Sequence, residues 1–131
     1  MEVRSAHTRL FVNDIAACAQ FYQDVLKFKP IALQVEKGYA EFEIANMRIS
    51  LFSRREMAEI LRTSDRPVAD NAQDDVGLIL HVQNLDDIYH ELRKAGVAFA
   101  EPPTQNNEFS LKVAYFRDPA GTLIGLFESM M

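Results

Sequence analysis

The sequence has one cysteine, no tryptophan, five glycines and five prolines among its 131 residues. A single cysteine, Cys18, excludes an intrachain disulfide and a multi-cysteine metal site, which fits a reducing compartment. No apolar run is long enough to span a bilayer, and the first residues carry no apolar leader, so we expect a cytoplasmic protein. The net charge of -5 argues against nucleic acids and membranes as partners.

The most informative feature is an internal repeat. The stretch HTRLFVNDIAACAQFYQDVLKF begins at His7, and the similar stretch GLILHVQNLDDIYHELRKAGVAF begins at Gly77. Each reads as a short strand, an Asp or Asn N-cap (Asp14 or Asn84) and an amphipathic helix, and strand-like segments follow each helix. The repeat therefore predicts an α+β fold of two tandem βαβββ modules.

We expect these modules to form a single domain, residues 1–131. The first module covers about 5–53, a connecting helix and loop cover about 54–75, and the second module covers about 76–128. The polar, proline-broken stretch TSDRPVADNAQDD within the connection is typical of a mobile loop.

Alternation along the strands predicts which side chains share a face of the sheet. YAEFEIANMRISLF reads as a hairpin that turns at Ala45-Asn46, which places Glu43 opposite Arg48. The face away from the helices then mixes polar and apolar side chains, as in a ligand-binding cleft. A half-solvated face is the alternative, and for Glu43 and Arg48 themselves we expect an ordinary cross-strand ion pair. The predicted face comprises His7, Arg9, Glu41, Glu43, Arg48, Ser50 and His81 among Phe11, Phe52, Ile79, Leu123 and Phe127.

The motifs HTRLFVND, FYQDVLKF, ISLF, VQNLDDIYHELRKAGV and AYFRDPAGTLIGLFE occur in this order along residues 7–128. Together they resemble the vicinal oxygen chelate superfamily, which includes glyoxalase I, bleomycin-resistance proteins and extradiol dioxygenases. The resemblance implies paired βαβββ modules in a cup-shaped mixed sheet, and a homodimer. In members that use a metal, four inward-facing His or Glu side chains bind it.

The resemblance implies four metal-ligand positions, and only one of them, His7, is occupied by a residue that can bind a metal. Ser50, Gly77 and Gly125 stand at the others, so Gly125 is a glycine in mid-strand where relatives have glutamate. The chain is thus most similar to the metal-free bleomycin-resistance-like members, and we expect no metal cofactor. The alternative is a divalent ion (Ni, Zn, Mn or Fe) at an atypical site that includes His7, with Glu41 and His81 as further candidates.

The sequence therefore predicts a protein that binds an organic ligand or drug in a cleft. The alternative is a lyase, isomerase or dioxygenase, either with the atypical metal site or without metal. A metal-free enzyme would use His7 or His81 as acid or base, Arg48 to hold an anion, and Tyr39 or Tyr115 as a donor. A scaffolding or antitoxin-like dimer also stays open. The predicted cleft residues are His7, Arg9, Phe11, Tyr39, Glu41, Arg48, Ser50, Phe52, His81, Phe109 and Gly125.

Overall fold

The computed structural model describes residues 1–68 and 73–131. The chain divides into two compact units, Met1–Asn71 and Ala72–Met131. Part of the predicted mobile loop, residues 69–72, lies outside the described residues. No helix in the described ranges is long and apolar enough to cross a membrane.

Each unit contains the predicted βαβββ module, and the prediction of an α+β fold is confirmed. Both sheets are four-stranded and mixed, with the equivalent orders β1-β4-β3-β2 and β5-β8-β7-β6. The first unit contains β1 Thr8–Val12, α1 Ile15–Gln20, β2 Lys29–Gln34, β3 Tyr39–Ile44, β4 Met47–Ser53 and α2 Arg54–Leu61. The second unit contains β5 Gly77–His81, α3 Leu85–Lys94, β6 Thr104–Asn106, β7 Leu111–Arg117 and β8 Leu123–Ser129.

The first helix begins where the sequence predicts. The Asp14 carboxylate accepts a hydrogen bond from the Ala17 N–H at 3.0 Å, which makes it the N-cap of α1. The chain then continues as a π-helical turn at Phe21–Val25, which helical periodicity alone does not distinguish from α-helix.

The register of the β3–β4 hairpin is also as predicted. Ile44 pairs with Met47 across the turn, and Glu43 with Arg48, so alternate residues share a face. The face that packs against α1 is apolar and buried, and this fixes the opposite face as the one available to a ligand. The buried strand residues on the face toward α1 are Leu10, Val12, Ala40, Phe42, Ile49 and Leu51.

The turn between β7 and β8 is built around one carboxylate. Asp118 is 4% exposed, and its Oδ1 accepts hydrogen bonds from the N–H of Ala120 at 2.9 Å and of Thr122 at 2.8 Å. Gly121 lies at φ +91, a conformation that other residues rarely adopt. The sequence Asp118-Pro119-Ala120-Gly121 thus forms a compact turn that sets the start of β8.

An ion pair between Arg117 and Asp74 holds the chain just before β5. Arg117 donates from both terminal nitrogens to the carboxylate oxygens of Asp74, at 2.7 Å each, and its Nη1 also donates to the carbonyl of Gly121. The hydrogen bonds from Arg117 hold the pKa of Asp74 below its usual value. The pair joins the beginning of the second unit to the β7–β8 turn.

Asn84 occupies the N-cap position of α3 as predicted, but its side chain does not cap the helix. Asn84 lies in the left-handed region at φ 59, and its side chain makes no capping hydrogen bond. The carboxylate of Glu128 on β8 takes this role, because its two oxygens accept the N–H groups of Asn84 at 2.9 Å and Leu85 at 3.1 Å. The helix N-terminus is thus capped from the neighbouring strand, and a carboxylate there also suits the helix dipole.

We expect Glu128→Ala to lower the free energy of unfolding by about 1 kcal/mol, since it leaves two helix N–H groups without this acceptor. Glu128→Gln keeps one acceptor oxygen and should lose less. Asn84→Gly is the matched control, because it removes the presumed cap while keeping the left-handed conformation accessible. Urea titration measures all three variants, and a larger loss for Asn84→Gly than for Glu128→Ala would contradict the assignment.

Candidate functional site

The face of the first sheet that points away from α1 carries an ordered set of side chains. Pairing of β1 with β4 and of β4 with β3 arranges them in rows across three strands, and His7 precedes the first paired residue of β1. The end near the β3–β4 turn is charged, and the other end is aromatic. We call this set the polar-aromatic face. Its rows are His7, Arg48 and Glu43; Arg9, Ser50 and Glu41; and Phe11, Phe52 and Tyr39.

Arg9 occupies the middle of the polar-aromatic face. Its Nε donates a hydrogen bond to the Oγ of Ser50 at 3.2 Å, and Ser50 is fully buried. The guanidinium carbon lies 4.8 Å from the ring centroid of Phe52 and 5.8 Å from that of Tyr39. One hydrogen bond and two cation–π contacts therefore hold the positive charge in place.

Glu41 is shared between two neighbours. The Tyr39 hydroxyl donates a hydrogen bond to one of its oxygens, and Arg48 Nη1 lies 3.6 Å from the other. The hydrogen bond to Glu41 raises the pKa of Tyr39 above its usual value, and burial adds to the rise. Tyr39 is therefore a protonated phenol at neutral pH.

The expected Glu43–Arg48 ion pair is not formed. The two residues are opposite in register, but the Arg48 side chain reaches diagonally to Glu41, and Glu43 lies 3.7 Å from Lys29 on β2. Long side chains reach diagonal neighbours in a sheet, so backbone register does not fix ion pairs.

His7 lines a pocket at the charged end of the polar-aromatic face. The pocket has a volume of about 460 Å³, and His7 shares it with Glu41, Glu43 and Arg48 as well as with the chain before β1 and the β3–β4 turn. The structure thus brings His7 together with three of the other polar residues expected on this face.

The equivalent face of the second unit has no charged residue in its middle row. Ile79, Gly125 and Tyr115 are paired across β5, β8 and β7 in the positions that Arg9, Ser50 and Glu41 hold in the first sheet. His81 contacts Phe127 edge to face, with ring centroids 5.9 Å apart. Here an imidazole packs on an aromatic ring.

The space at Gly125 is filled by its neighbours. A Cβ at this position would stand 2.9 Å from Tyr115 Cε1, 3.0 Å from Ile79 Cδ1 and 3.1 Å from Phe127 Cε1. These distances are below van der Waals contact, so Gly125 makes room for the ring of Tyr115. Gly125, one of the predicted cleft residues, is therefore closely surrounded by three side chains of its own sheet.

Phe109 lies in the turn between β6 and β7, where its N–H donates to the side chain of Asn106. The residue is 65% exposed and lies outside the strands. It is an aromatic group open to solvent in the second unit.

A pocket of about 500 Å³ in the second unit was not predicted. It lies at the end of α3, where Arg93 stacks over Tyr89 at 5.6 Å and Tyr89 contacts Phe99. The i, i+4 spacing of Tyr89 and Arg93 is the sequence signal that points to the contact.

A divalent metal does not fit the positions at which the resemblance places its ligands. In the first unit these are His7 and Ser50, and the Ser50 oxygen accepts a hydrogen bond from the Arg9 guanidinium, whose charge repels a cation. In the second unit both positions are glycine. Residues 1–68 and 73–131 contain no group of three His, Cys, Asp or Glu side chains placed to hold a metal ion.

Two βαβββ modules with the same strand order define a class of proteins built from a duplicated module. The family model described as "Glyoxalase/Bleomycin resistance protein/Dioxygenase superfamily" matches residues 4–126, and the chain belongs to this superfamily. The predicted family resemblance is thereby confirmed.

Individual relatives agree with this membership. The chain is 34% identical over 122 residues to the uncharacterized protein YraH of Bacillus subtilis, a match that covers 93% of this chain and 95% of YraH. A hypothetical protein, SA1046 of S. aureus, has a similar structure with a TM-score of 0.77 at 21% identity, over 98% of this chain and 95% of that one. The structure of lactoylglutathione lyase from Agrobacterium tumefaciens is similar with a TM-score of 0.70 at 18% identity, over 99% of this chain and 97% of that one. At these identities the two structures support the fold alone.

Proposed function

We propose that this protein binds a small organic molecule at the polar-aromatic face of its first sheet, without a catalytic divalent metal. The observation that carries the proposal is the placement of Arg9, whose guanidinium is bound to Ser50 at a metal-ligand position of the family. The guanidinium of Arg9 thus lies beside Ser50, the position at which the resemblance places a metal-binding glutamate.

The composition of the face supports a ligand with both polar and apolar parts. Phe11 is 40% exposed and lies beside Phe52, so an apolar ring has a surface to contact. Arg9 and the pocket at His7 offer hydrogen bonds next to this surface. Binding sites of small molecules commonly combine apolar walls with a few placed polar groups.

The alternative, an enzyme with an atypical metal site at His7, would need further ligands. Glu41 shares the His7 pocket, but its oxygens already contact Tyr39 and Arg48. Glu43 also lines the pocket but pairs with Lys29, and the described residues 1–68 and 73–131 place no three His, Cys, Asp or Glu side chains around one point, the number that catalytic sites normally use. The homodimer implied by the resemblance and the cytoplasmic location expected from the composition stay predictions.

We expect purified protein to contain no stoichiometric metal and to show no rise in melting temperature with Ni²⁺, Zn²⁺, Mn²⁺ or Fe²⁺. A panel of aromatic acids, amides and amines should include compounds that raise the melting temperature, since a ligand that binds only the folded state stabilises it. Elemental analysis and thermal-shift measurements test both statements.

Matched variants locate the binding. Phe52→Leu keeps an apolar side chain but removes the ring, and it should weaken binding of the active compounds about tenfold or more. Ile60→Ala, an exposed residue of α2 outside the polar-aromatic face, should leave binding unchanged. A stoichiometric metal that His7→Ala abolishes would overturn the proposal, and so would equal effects of the Phe52 and Ile60 variants.

A further inference from the structure

We infer that Arg9 makes the polar-aromatic face selective for a planar aromatic ligand that carries a carboxylate or a similar oxyanion. The inference rests on the proposed function and narrows it to a chemical class. It follows from the charges on the face, from the orientation of Arg9 and from the rings beside it.

Among Arg9, Arg48 and the adjoining Lys29, one cation has no carboxylate partner. Glu41 pairs with Arg48, and Glu43 pairs with Lys29. Three cations, Lys29, Arg48 and Arg9, thus stand against two carboxylates, and the remaining positive charge is that of Arg9. Within residues 1–68 and 73–131, Arg9 takes part in no ion pair.

The orientation of Arg9 leaves its binding fork available. The hydrogen bond to Ser50 uses Nε, the guanidinium also interacts with the Tyr39 hydroxyl, and within the described residues its terminal nitrogens pair with no carboxylate. A guanidinium presents these nitrogens in one plane, and this geometry matches the two oxygens of a carboxylate. Because Arg9 is already anchored, less side-chain entropy is lost on binding.

The rings determine the rest of the ligand. The guanidinium lies over Phe52, and Phe11 stands in the same row as Phe52 with an exposed ring. An anion held at Arg9 would therefore place an attached planar group against the aromatic row. A flexible or purely polar anion would lack that contact.

The test uses benzoate and phenylphosphonate against their neutral analogue benzamide, with titration calorimetry at low salt. We expect benzoate to bind at least about tenfold more tightly than benzamide, since hydrogen bonds to charged groups carry that difference. Arg9→Gln should remove this preference, and Arg9→Lys, which keeps the charge but not the fork, should restore part of it. Arg55→Gln, a highly exposed arginine on α2, is the matched charge control.

The outcomes separate the inference from the proposed function. If benzamide and benzoate bind equally, or if Arg9→Gln keeps the preference while circular dichroism shows it folded, the inference is wrong and metal-free binding still stands. If aromatic amines and amides in the wider panel bind but no anion does, the inference fails in the same way. If no compound of any charge binds at millimolar concentrations, or if binding requires added metal, both are overturned.

Discussion

Replacing Gly125 by glutamate should lower the free energy of unfolding by about 3 kcal/mol or more and should not create a metal site. The substitution restores the residue that metal-using relatives carry. Here, however, its Cβ would meet Tyr115, Ile79 and Phe127 at 2.9 to 3.1 Å. The new carboxylate would also enter an apolar environment on the second sheet. Thermal unfolding and a titration with Ni²⁺ measure the two effects.

Gly77 provides a matched control on the paired strand. A Cβ there would meet Leu123 at 3.5 Å, which is ordinary contact, and neither glycine lies at positive φ. Gly77→Ala should therefore change stability by less than about 0.5 kcal/mol, whereas Gly125→Ala should cost about 1–3 kcal/mol. A stable Gly125→Glu protein that binds Ni²⁺ stoichiometrically would show that Tyr115 does not hold this space.

Asp118→Ala should be the most damaging substitution in the β7–β8 turn, with a loss of about 3 kcal/mol in unfolding free energy. A single carboxylate oxygen accepts the N–H groups of Ala120 and Thr122, and the residue is almost fully buried. Alanine would leave both donors without this acceptor. Urea titration gives the free energy.

Asp118→Asn is the informative comparison. Its amide oxygen can accept the same two hydrogen bonds without the charge, so we expect a smaller loss of about 1 kcal/mol. Equal losses for the alanine and asparagine variants would show that the charge matters more than the two hydrogen bonds.

Features set by local chain geometry could be predicted from the sequence. The hairpin register follows from the turn at Ala45-Asn46 and from alternation along β3 and β4, and the structure has the expected pairs. The Asp14 cap is equally local, since its partner lies three residues away. The internal repeat predicted both modules, because each repeats the order of its elements.

Features that depend on side chains distant in sequence could not be predicted. Asn84 is a common residue type at an N-cap, but the carboxylate of Glu128 on β8 accepts the hydrogen bonds at the start of α3. The strand register places Arg48 opposite Glu43, but its long side chain reaches the diagonal neighbour Glu41 instead. The filled space at Gly125 depends on the Tyr115 ring on the neighbouring strand, and no local pattern reports that position.

The shared strand order of the two sheets constrains how the halves can diverge. A one-residue insertion within a strand would turn every later side chain to the opposite face and expose the buried residues. Substitutions on the opposite face leave the strand register intact, and the two sheets differ there, with Arg9 and Ser50 in one and Ile79 and Gly125 in the other. The binding chemistry of each module can therefore change by substitution, whereas insertions and deletions are confined to the turns and the connection between the modules.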